Sequence, residues 1–419
     1  MRTWLITTGE PLPLPGSRDR LIRTGRLASY LRQRGHDVVW WSSTFDHVRK
    51  AHRFDRSTDL ELADGVALKL LHAPPYRSNV SVARLRHQYL TARAFRKRAP
   101  AEATPDVILC SFPTIELSAA ALAYARRSGT RLVLDVRDLW PDIFVDGMPR
   151  LLRPLGSPFI RAYDRVARRV LRGADGIVGI SEGYLSWALA KAGRGRSIDA
   201  DIVLPIGFER PDIAPEDAKA ATTALQGLGV RLDRPLAVFV GTFGRTYDLT
   251  TVIRAAARLE RSAPDLQFVL AGDGERGEKW RQEALGLSNV VMPGWLSGAQ
   301  IATLCSHAAI GLQAYASGAP QGLANKLFEY LGYGMALASS LSGENAALIQ
   351  EHACGFTYTA GDVEELCLGL KRLIDENDRL RSARQNASAL FDREFCLSAI
   401  HERFAAYLES QAKSRHPIS

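Results

Sequence analysis

The chain has 419 residues, 46% apolar and 24% charged, an ordinary globular composition in a length that exceeds one hydrophobic core, so two domains are expected. Five scattered cysteines without a Cys-x-x-Cys pair exclude a zinc-ribbon or disulfide framework and fit a reducing compartment, each thiol being read as buried packing. The net charge of +9 is uneven: residues 1–200 hold 33 Lys and Arg against 19 Asp and Glu, the remainder 21 against 26. A basic half implies an anionic lipid, nucleic-acid or phosphorylated partner, and composition does not choose among them. No run approaches the roughly 20 apolar residues of a membrane span, and the first residues do not read as a signal peptide, so a cytoplasmic location is expected.

In chain order, Thr3–Thr7 and Asp37–Ser42 are β-rich runs around a helical pattern, Arg18–Gly35, whose apolar residues include Leu21, Leu27 and Leu31. Val107–Cys110, Leu132–Val136 and Gly176–Ile180 read as buried parallel strands, separated by helices at Leu117–Ser128 and Phe159–Arg172. Pro, Gly and acidic residues break the pattern at Pro205–Pro215. The alternation then restarts with strand Leu236–Val240, helix Leu249–Leu259, and strands Gln267–Ala271 and Asn289–Met292. Helix Ile301–Ser306, strands Ile310–Gln313 and Met335–Ser339, and a last helix at Leu397–Gln411 follow. The fold class is α/β: two Rossmann-like, doubly wound domains facing each other across a cleft. The expected limits are 1–207 and 208–390, with 391–419 packing back across the lobes.

Ligands of such sheets bind beyond the carboxyl ends of the strands, so the loops there are the candidates. Gly241-Thr242-Phe243-Gly244-Arg245 precedes a helix start and could cradle a phosphate, Gly244 giving backbone access and Arg245 a bidentate contact; the competing reading is a tight turn with a surface arginine. Gly272-Asp273-Gly274-Glu275-Arg276 could face a nucleotide or be an ordinary turn. Around Gly294-Trp295-Leu296, backbone amides could read a base with Trp295 alongside, although a large aromatic is more often core. The strongest signal runs from Ser317 to Tyr330 and contains Gln321, Leu323, Lys326 and Glu329. A small-residue loop there opens a helix, and Lys326 in the first turn opposes the helix dipole unless an anion is bound. Glu329, one turn on, suits the two hydroxyls of a ribose; the alternative is a surface Lys–Glu pair.

These segments resemble the GT-B fold and, within it, glycosyltransferase family 4, the retaining enzymes that include many polysaccharide-assembly transferases. The resemblance covers nearly the whole chain. It takes in Arg34-Gly35-His36-Asp37-Val38, Val136-Arg137-Asp138-Leu139-Trp140-Pro141, the stretch Ala174–Glu182, and Leu204-Pro205-Ile206-Gly207. Most specific is Asn325-Lys326-Leu327-Phe328-Glu329-Tyr330 followed by Gly334, which is similar to the subgroup that builds O-antigen, capsule or exopolysaccharide. The resemblance implies that Glu329 is the second acid of the family's Glu-x7-Glu motif and binds the donor ribose. It implies that Lys326 and Arg245 contact the diphosphate, that Gly294–Leu296 hold the base, and that Gly16 and Ser17 lie under the diphosphate. Asp138 would approach the transferred sugar or the acceptor hydroxyl. The chain departs from the family in two places. Gln321 stands where the first acid of the motif is expected, and Thr242 and Tyr247 stand where the family often has Arg and Lys.

The activity so implied is retaining, metal-independent transfer of a sugar, from a UDP-sugar by preference or a GDP-sugar, to a saccharide or lipid-linked acceptor. No cofactor is expected. Arg161, Arg165, Arg168 and Arg172 at helical spacing, with Arg93, Arg96, Lys97 and Arg98, could rest the enzyme on the anionic inner face of a membrane, or be a solvated surface. Nucleic acid is not an expected partner, because interleaved aromatics and a helix-turn-helix pattern are missing. Two rivals stand beside this reading. A nucleotide-sugar 2-epimerase of the same fold would need acid–base groups that His36, His47 and His72 do not obviously supply, and Gln321 would suit a non-catalytic nucleotide-binding subunit.

Overall fold

The computed structural model of the protein describes residues 1–14, 17, 21–79, 81–142, 153–319 and 322–414; of residues 153–159 it describes the backbone only. The chain divides into two compact units, Met1–Pro205 with the C-terminal residues from His401 on, and Ile206–Ile400.

The first unit contains, in order, β1 (Arg2–Ile6), α1 (Arg23–Gln33), β2 (Asp37–Ser43), β3 (Phe45–Asp46), β4 (Ala51–His52), β5 (Thr58–Glu61), β6 (Ala67–Leu71) and α2 (Val82–Arg98). It continues with β7 (Val107–Phe112), α3 (Ile115–Ser128), β8 (Arg131–Val136), α4 (Arg153–Gly173), β9 (Gly176–Gly179), α5 (Glu182–Ala192) and β10 (Asp201–Val203). Eight strands form one sheet in the order β10-β9-β8-β7-β1-β2-β6-β5, parallel except for the edge strand β5. Every residue of β7, Val-Ile-Leu-Cys-Ser-Phe, is buried, the mark of a parallel strand covered by helices on both faces. The sheet reverses its winding between β1 and β7, and this switch point opens a crevice at the strands' carboxyl ends. The two-stranded ribbon of β3 and β4 follows the carboxyl end of β2.

A buried ion network braces that edge. Asp135 on β8 accepts from Arg23 Nε at 2.9 Å and from Arg137 Nε at 2.7 Å; Arg137 also bonds Glu10, and Glu10 accepts from the Thr24 amide at 3.0 Å. Arg23 donates further to the carbonyls of Leu204 and Pro205 at 2.8 and 2.7 Å. The loop after β1, the start of α1 and the ends of β8 and β10 are thereby tied through charge-assisted bonds, which satisfy charges that would be costly to bury alone.

The second unit contains α6 (Pro215–Gly227), β11 (Leu236–Val240), α7 (Leu249–Leu259), β12 (Gln267–Ala271), α8 (Gly277–Glu283), β13 (Val290–Gly294), α9 (Gly298–His307) and β14 (Ile310–Gln313). Then come α10 (Asn325–Gly332), β15 (Ala336–Ser339), α11 (Glu344–Glu351), β16 (Gly355–Thr357), α12 (Val363–Asp375), α13 (Asn377–Leu390) and α14 (Leu397–Lys413). Its six strands are all parallel, in the order β13-β12-β11-β14-β15-β16. Counted from the first strand of the unit this is 3-2-1-4-5-6, the dinucleotide-fold order, with its switch point between β11 and β14. From His401 onward α14 belongs to the first unit, where Phe404, Ala405 and Leu408 join Leu5, Leu27 and Trp40 in the core.

Cys110, Cys305, Cys354 and Cys367 are buried as expected, whereas Cys396 is partly exposed, which corrects the uniform reading.

Candidate active site

In the second unit, four strand-end loops carry the candidate residues, and hydrogen bonds stitch the first three together. The Gly241 amide donates to Ala271, Phe243 to Asp273, and Gly272 to Gly294, at 2.8–2.9 Å. Glycine is required where these loops touch. Gly272 has φ +136°, and a Cβ there would lie 1.9 Å from the Gly241 carbonyl oxygen. At Gly244, by contrast, a Cβ would meet nothing within 4 Å, so that glycine leaves open space rather than serving a contact.

Lys326 stands at the switch point. It lies in the first turn of α10, whose N-cap, Ala324, gives no side-chain bond and whose first turn has no acid. The amides of such a turn favour an anion. Lys326 is 8% exposed; its ammonium bonds the Val240 carbonyl at the end of β11 and sits 4.4 Å from the Phe239 ring centroid and 5.1 Å from that of Tyr247. The surface-pair alternative therefore fails. Burial pushes the Lys326 ammonium down to about 8, against an opposing pull from Glu329. One turn further, the Tyr330 hydroxyl accepts from the Val240 amide at 3.2 Å, so positions i and i+4 of the helix hold both backbone groups of one strand-end residue. A Cβ on Gly241 would lie 2.4 Å from the Lys326 nitrogen, so only glycine leaves room for this placement.

The remaining expected residues are distributed as follows. Arg245 is exposed and bonds Glu275 through Nε and Nη2 at 2.8 and 2.5 Å, linking the loops after β11 and β12. Both side chains lie in solvent, where such a pair is weak and readily exchanged. Trp295 is 67% exposed beyond the end of β13, which overturns the core reading of that ring. Leu296 and Leu323 are partly buried against the apolar cluster around Leu327 and Phe328, and Glu329 is half-buried one turn after Lys326. In the first unit Ser17 is exposed and its amide donates to Leu14. Gly16 and Gln321 lie outside the described residues. A groove of about 1180 Å³ runs past Ser340, Thr357 and Arg372, but neither Lys326, Arg245 nor Glu329 lines it, so its size does not make it the chemical site.

Sequence reasoning quoted Tyr330 within its strongest motif but gave no role to it, to Phe239 or to the strand-end carbonyl of Val240. Tyr247 was noticed as a departure from the family pattern, and its ring turns out to face the Lys326 ammonium.

In the first unit, Asp138 follows β8, and its carboxylate accepts from the Leu139 amide at 2.8 Å. It lines a cavity of about 220 Å³ with Thr8, His47, Tyr76, Arg84 and Trp140, among others. Thr8 and Thr114, whose hydroxyls are 3.3 Å apart, place this cavity at the β1/β7 switch point. Burial, with the nearby charges of Lys50 and Arg84, holds the His47 imidazole below its ordinary value against a pull from Asp46. Arg84 was not foreseen; a cation in the first turn of α2 is the same signal that singled out Lys326.

Comparison with known proteins adds two family matches. Residues 22–200 match a glycosyl transferase 4-like domain, and residues 222–389 match the glycosyl transferases group 1 domain. No curated protein matches the chain. Solved structures do, across nearly its full length and at low identity. Sucrose-phosphate synthase from Thermosynechococcus elongatus is 16% identical with a TM-score of 0.67, the match covering 99% of this chain and 100% of that one. HepE from Anabaena, solved with UDP, is 16% identical with a TM-score of 0.66, covering 98% and 99%. WaaG, a glycosyltransferase involved in lipopolysaccharide biosynthesis, is 17% identical with a TM-score of 0.61, covering 97% and 99%. One family model falls on each parallel-sheet unit and the whole-chain neighbours share the architecture, so the chain belongs to the GT-B glycosyltransferases of group 1.

Proposed function

We propose that this protein is a retaining glycosyltransferase that takes its sugar from a nucleoside diphosphate, UDP by preference, and delivers it to a saccharide or lipid-linked acceptor in polysaccharide assembly. The observation that carries the reading is Lys326: a buried ammonium at the β11/β14 switch point, beside an uncapped helix start and three glycine-rich strand-end loops. UDP is favoured because HepE was solved with UDP and with UDP-glucose, and the trehalose-6-phosphate protein from E. coli with UDP-2-fluoro glucose.

In this reading the diphosphate lies over the amides that open α10, with Lys326 beneath it. Glu329 takes the ribose hydroxyls, Gly294–Leu296 and Trp295 take the base, and Arg245 leaves Glu275 for phosphate when donor arrives. Gly244 and Gly272 let the backbone come close, with Gly16, Ser17, Gln321 and Leu323 around the donor. As the bond from the sugar's anomeric carbon to the phosphate oxygen breaks, negative charge grows on the leaving diphosphate. Lys326 and the helix-start dipoles are already oriented to stabilise it, so no metal is needed. The acceptor oxygen bonds to the same face of the anomeric carbon, and its proton passes to the departing phosphate oxygen. Asp138, in the first unit's cavity, orients the acceptor hydroxyl.

The basic faces of the first unit support a peripheral position on anionic membrane. Arg161, Arg165, Arg168 and Arg172 are all exposed on α4, and Arg93, Arg96 and Lys97 on α2. Among the described residues no helix is long and apolar enough to cross a membrane. Incubation of enzyme, nucleotide-sugar and acceptor in anionic vesicles tests the reading, with the product linkage read by NMR. The expected result is a product that keeps the donor's anomeric configuration, made by enzyme that sediments with the vesicles at low salt. An inverted linkage contradicts the retaining mechanism, and an epimerised free donor without transfer favours the epimerase rival.

A further inference from the structure

Arg84 lines the cavity of the first unit, and Lys50 stands beside two other lining residues, His47 and Tyr76. Lys50 sits in the turn between β3 and β4 with φ +56°, a left-handed conformation costly for a side chain with a Cβ and often retained where function demands it. Its ammonium bonds the side-chain oxygen of Asn79, approaches His47 Nδ1 at 3.4 Å, and stands 4.8 Å from the centre of the Tyr76 ring. Arg84 comes from α2, bonds the main-chain oxygen of the same Asn79 at 2.6 Å, and lies 5.9 and 4.6 Å from the ring centres of Tyr76 and Trp140. Its Nε is buried without a hydrogen-bond partner.

The local acids are paired elsewhere and pull on these cations only from beyond ion-pair distance, Asp46 on Lys50 and Glu116 on Arg84. Asp46 is committed to Arg49 and Arg53 at 3.2 and 2.7 Å, and Glu116 accepts from the Tyr163 hydroxyl at 3.0 Å. Asp138 alone among the described carboxylates lines the cavity, and it bonds the Leu139 amide. Among the described residues neither Lys50 nor Arg84 is within ion-pair distance of a carboxylate. Burial, together with repulsion from Arg84, holds the Lys50 ammonium below its ordinary value. The first turn of α2 contains no acid, so Arg84 also opposes the helix dipole. A strained lysine, an orphaned guanidinium nitrogen and a cation at the wrong end of a helix share one remedy, an anion between them.

We propose that this cavity is an anion subsite of the acceptor, in which Arg84 of its lining and Lys50 beside it hold a phosphate or carboxylate group while the acceptor hydroxyl lies toward Asp138. The proposal rests on the reading that the first unit takes the acceptor. A cavity of about 220 Å³ is smaller than the roughly 300–1,000 Å³ of drug-sized sites, so it suits one charged group and the sugar unit that carries it. The Tyr76 and Trp140 rings supply an apolar wall for such a unit, and His47, bonded to the Tyr76 hydroxyl at 2.5 Å, a polar one. The anion comes either from a phosphorylated acceptor, such as a lipid pyrophosphate, or from an acidic sugar.

The test is calorimetric titration of the chain with inorganic pyrophosphate and, separately, with D-glucuronate. It is done in a Lys326→Ala background so that the donor site does not contribute. The expected result is binding of at least one probe, weakened about tenfold or more by Lys50→Gln with Arg84→Gln, as loss of charge-assisted bonds dictates. Weakening for pyrophosphate identifies a phosphate-bearing acceptor, and weakening for glucuronate an acidic sugar. Absence of binding by both probes, or affinity unchanged by the two substitutions, overturns the proposal. Lys50→Gln alone, in a surface turn, carries the test where the double variant loses its fold, and Arg84→Lys should retain part of the affinity. Failure of the donor reading is seen separately, as nucleoside diphosphate binding that survives Lys326→Ala.

Discussion

At the scale of single residues, Lys326 shows how a placement that is unfavourable in the free protein can serve a bound ligand. Its sequence position already predicts conflict with the helix dipole; the structure adds burial, which the sequence could not show because it depends on Val240, Phe239 and Tyr247 from another segment. The ammonium has its pKa lowered to about 8 from an ordinary 10.5, and a diphosphate beside it would restore the charged form. Donor binding should therefore take up a proton between pH 8 and 10.5, with affinity level below pH 8 and falling above it. Calorimetry at pH 9 in two buffers of different ionisation enthalpy measures this directly. Equal heats in both buffers would place the diphosphate away from Lys326. Trp295 teaches the opposite lesson about legibility: residue statistics favour core for a tryptophan, yet this one follows the end of β13 and faces solvent.

At the scale of elements, several boundaries were legible to the residue. Leu236–Val240, Leu249–Leu259, Gln267–Ala271 and Ile310–Gln313 are the observed limits of two central strands, a third beside them and one helix. Uninterrupted apolar runs bounded by turn residues make such parallel strands conspicuous. The edge pair β5 and β6 was not, because Thr-Asp-Leu-Glu and Ala-Leu-Lys-Leu-Leu are short and half polar, and their pairing is visible only once both lie on the sheet. The Asp135 network was also hidden, since Glu10, Arg23, Asp135 and Arg137 come from three separated segments. It supports the loop edge that carries Asp138. Burial alone would raise the Asp135 carboxyl, but Arg137 and Arg23 hold it below its ordinary 3.8. A depressed carboxylate stabilises the fold above its unfolded value, and that contribution is lost as pH falls through the lower folded one, so acid below about pH 4 should loosen this unit. Asp135→Asn leaves the buried Arg23 guanidinium without a carboxylate, although Arg137 keeps Glu10, and should cost about 3–5 kcal/mol in urea unfolding at neutral pH. A loss under about 1 kcal/mol would mean that water or rearranged side chains replace the network.

At the scale of the whole molecule, the alternation of strands and helices, restarted after Pro205, was enough to expect two doubly wound sheets, and both are present. What it could not supply is the point in each sheet where winding reverses, because strand order is a long-range property. The reversals lie at β1/β7 and β11/β14, and each has a cation in the first turn of a helix beside it, Arg84 in one unit and Lys326 in the other. One unit would then hold the acceptor and the other the donor, each by an anionic group. The donor half is the central claim, and titration of UDP, GDP and ADP into the wild-type chain and into Lys326→Ala tests it most directly. At least one nucleotide should bind the wild type and raise its melting temperature by mass action, and Lys326→Ala should weaken that binding about tenfold or more while the protein remains folded. Binding of equal strength to both proteins, or of no nucleotide to either, would contradict the account.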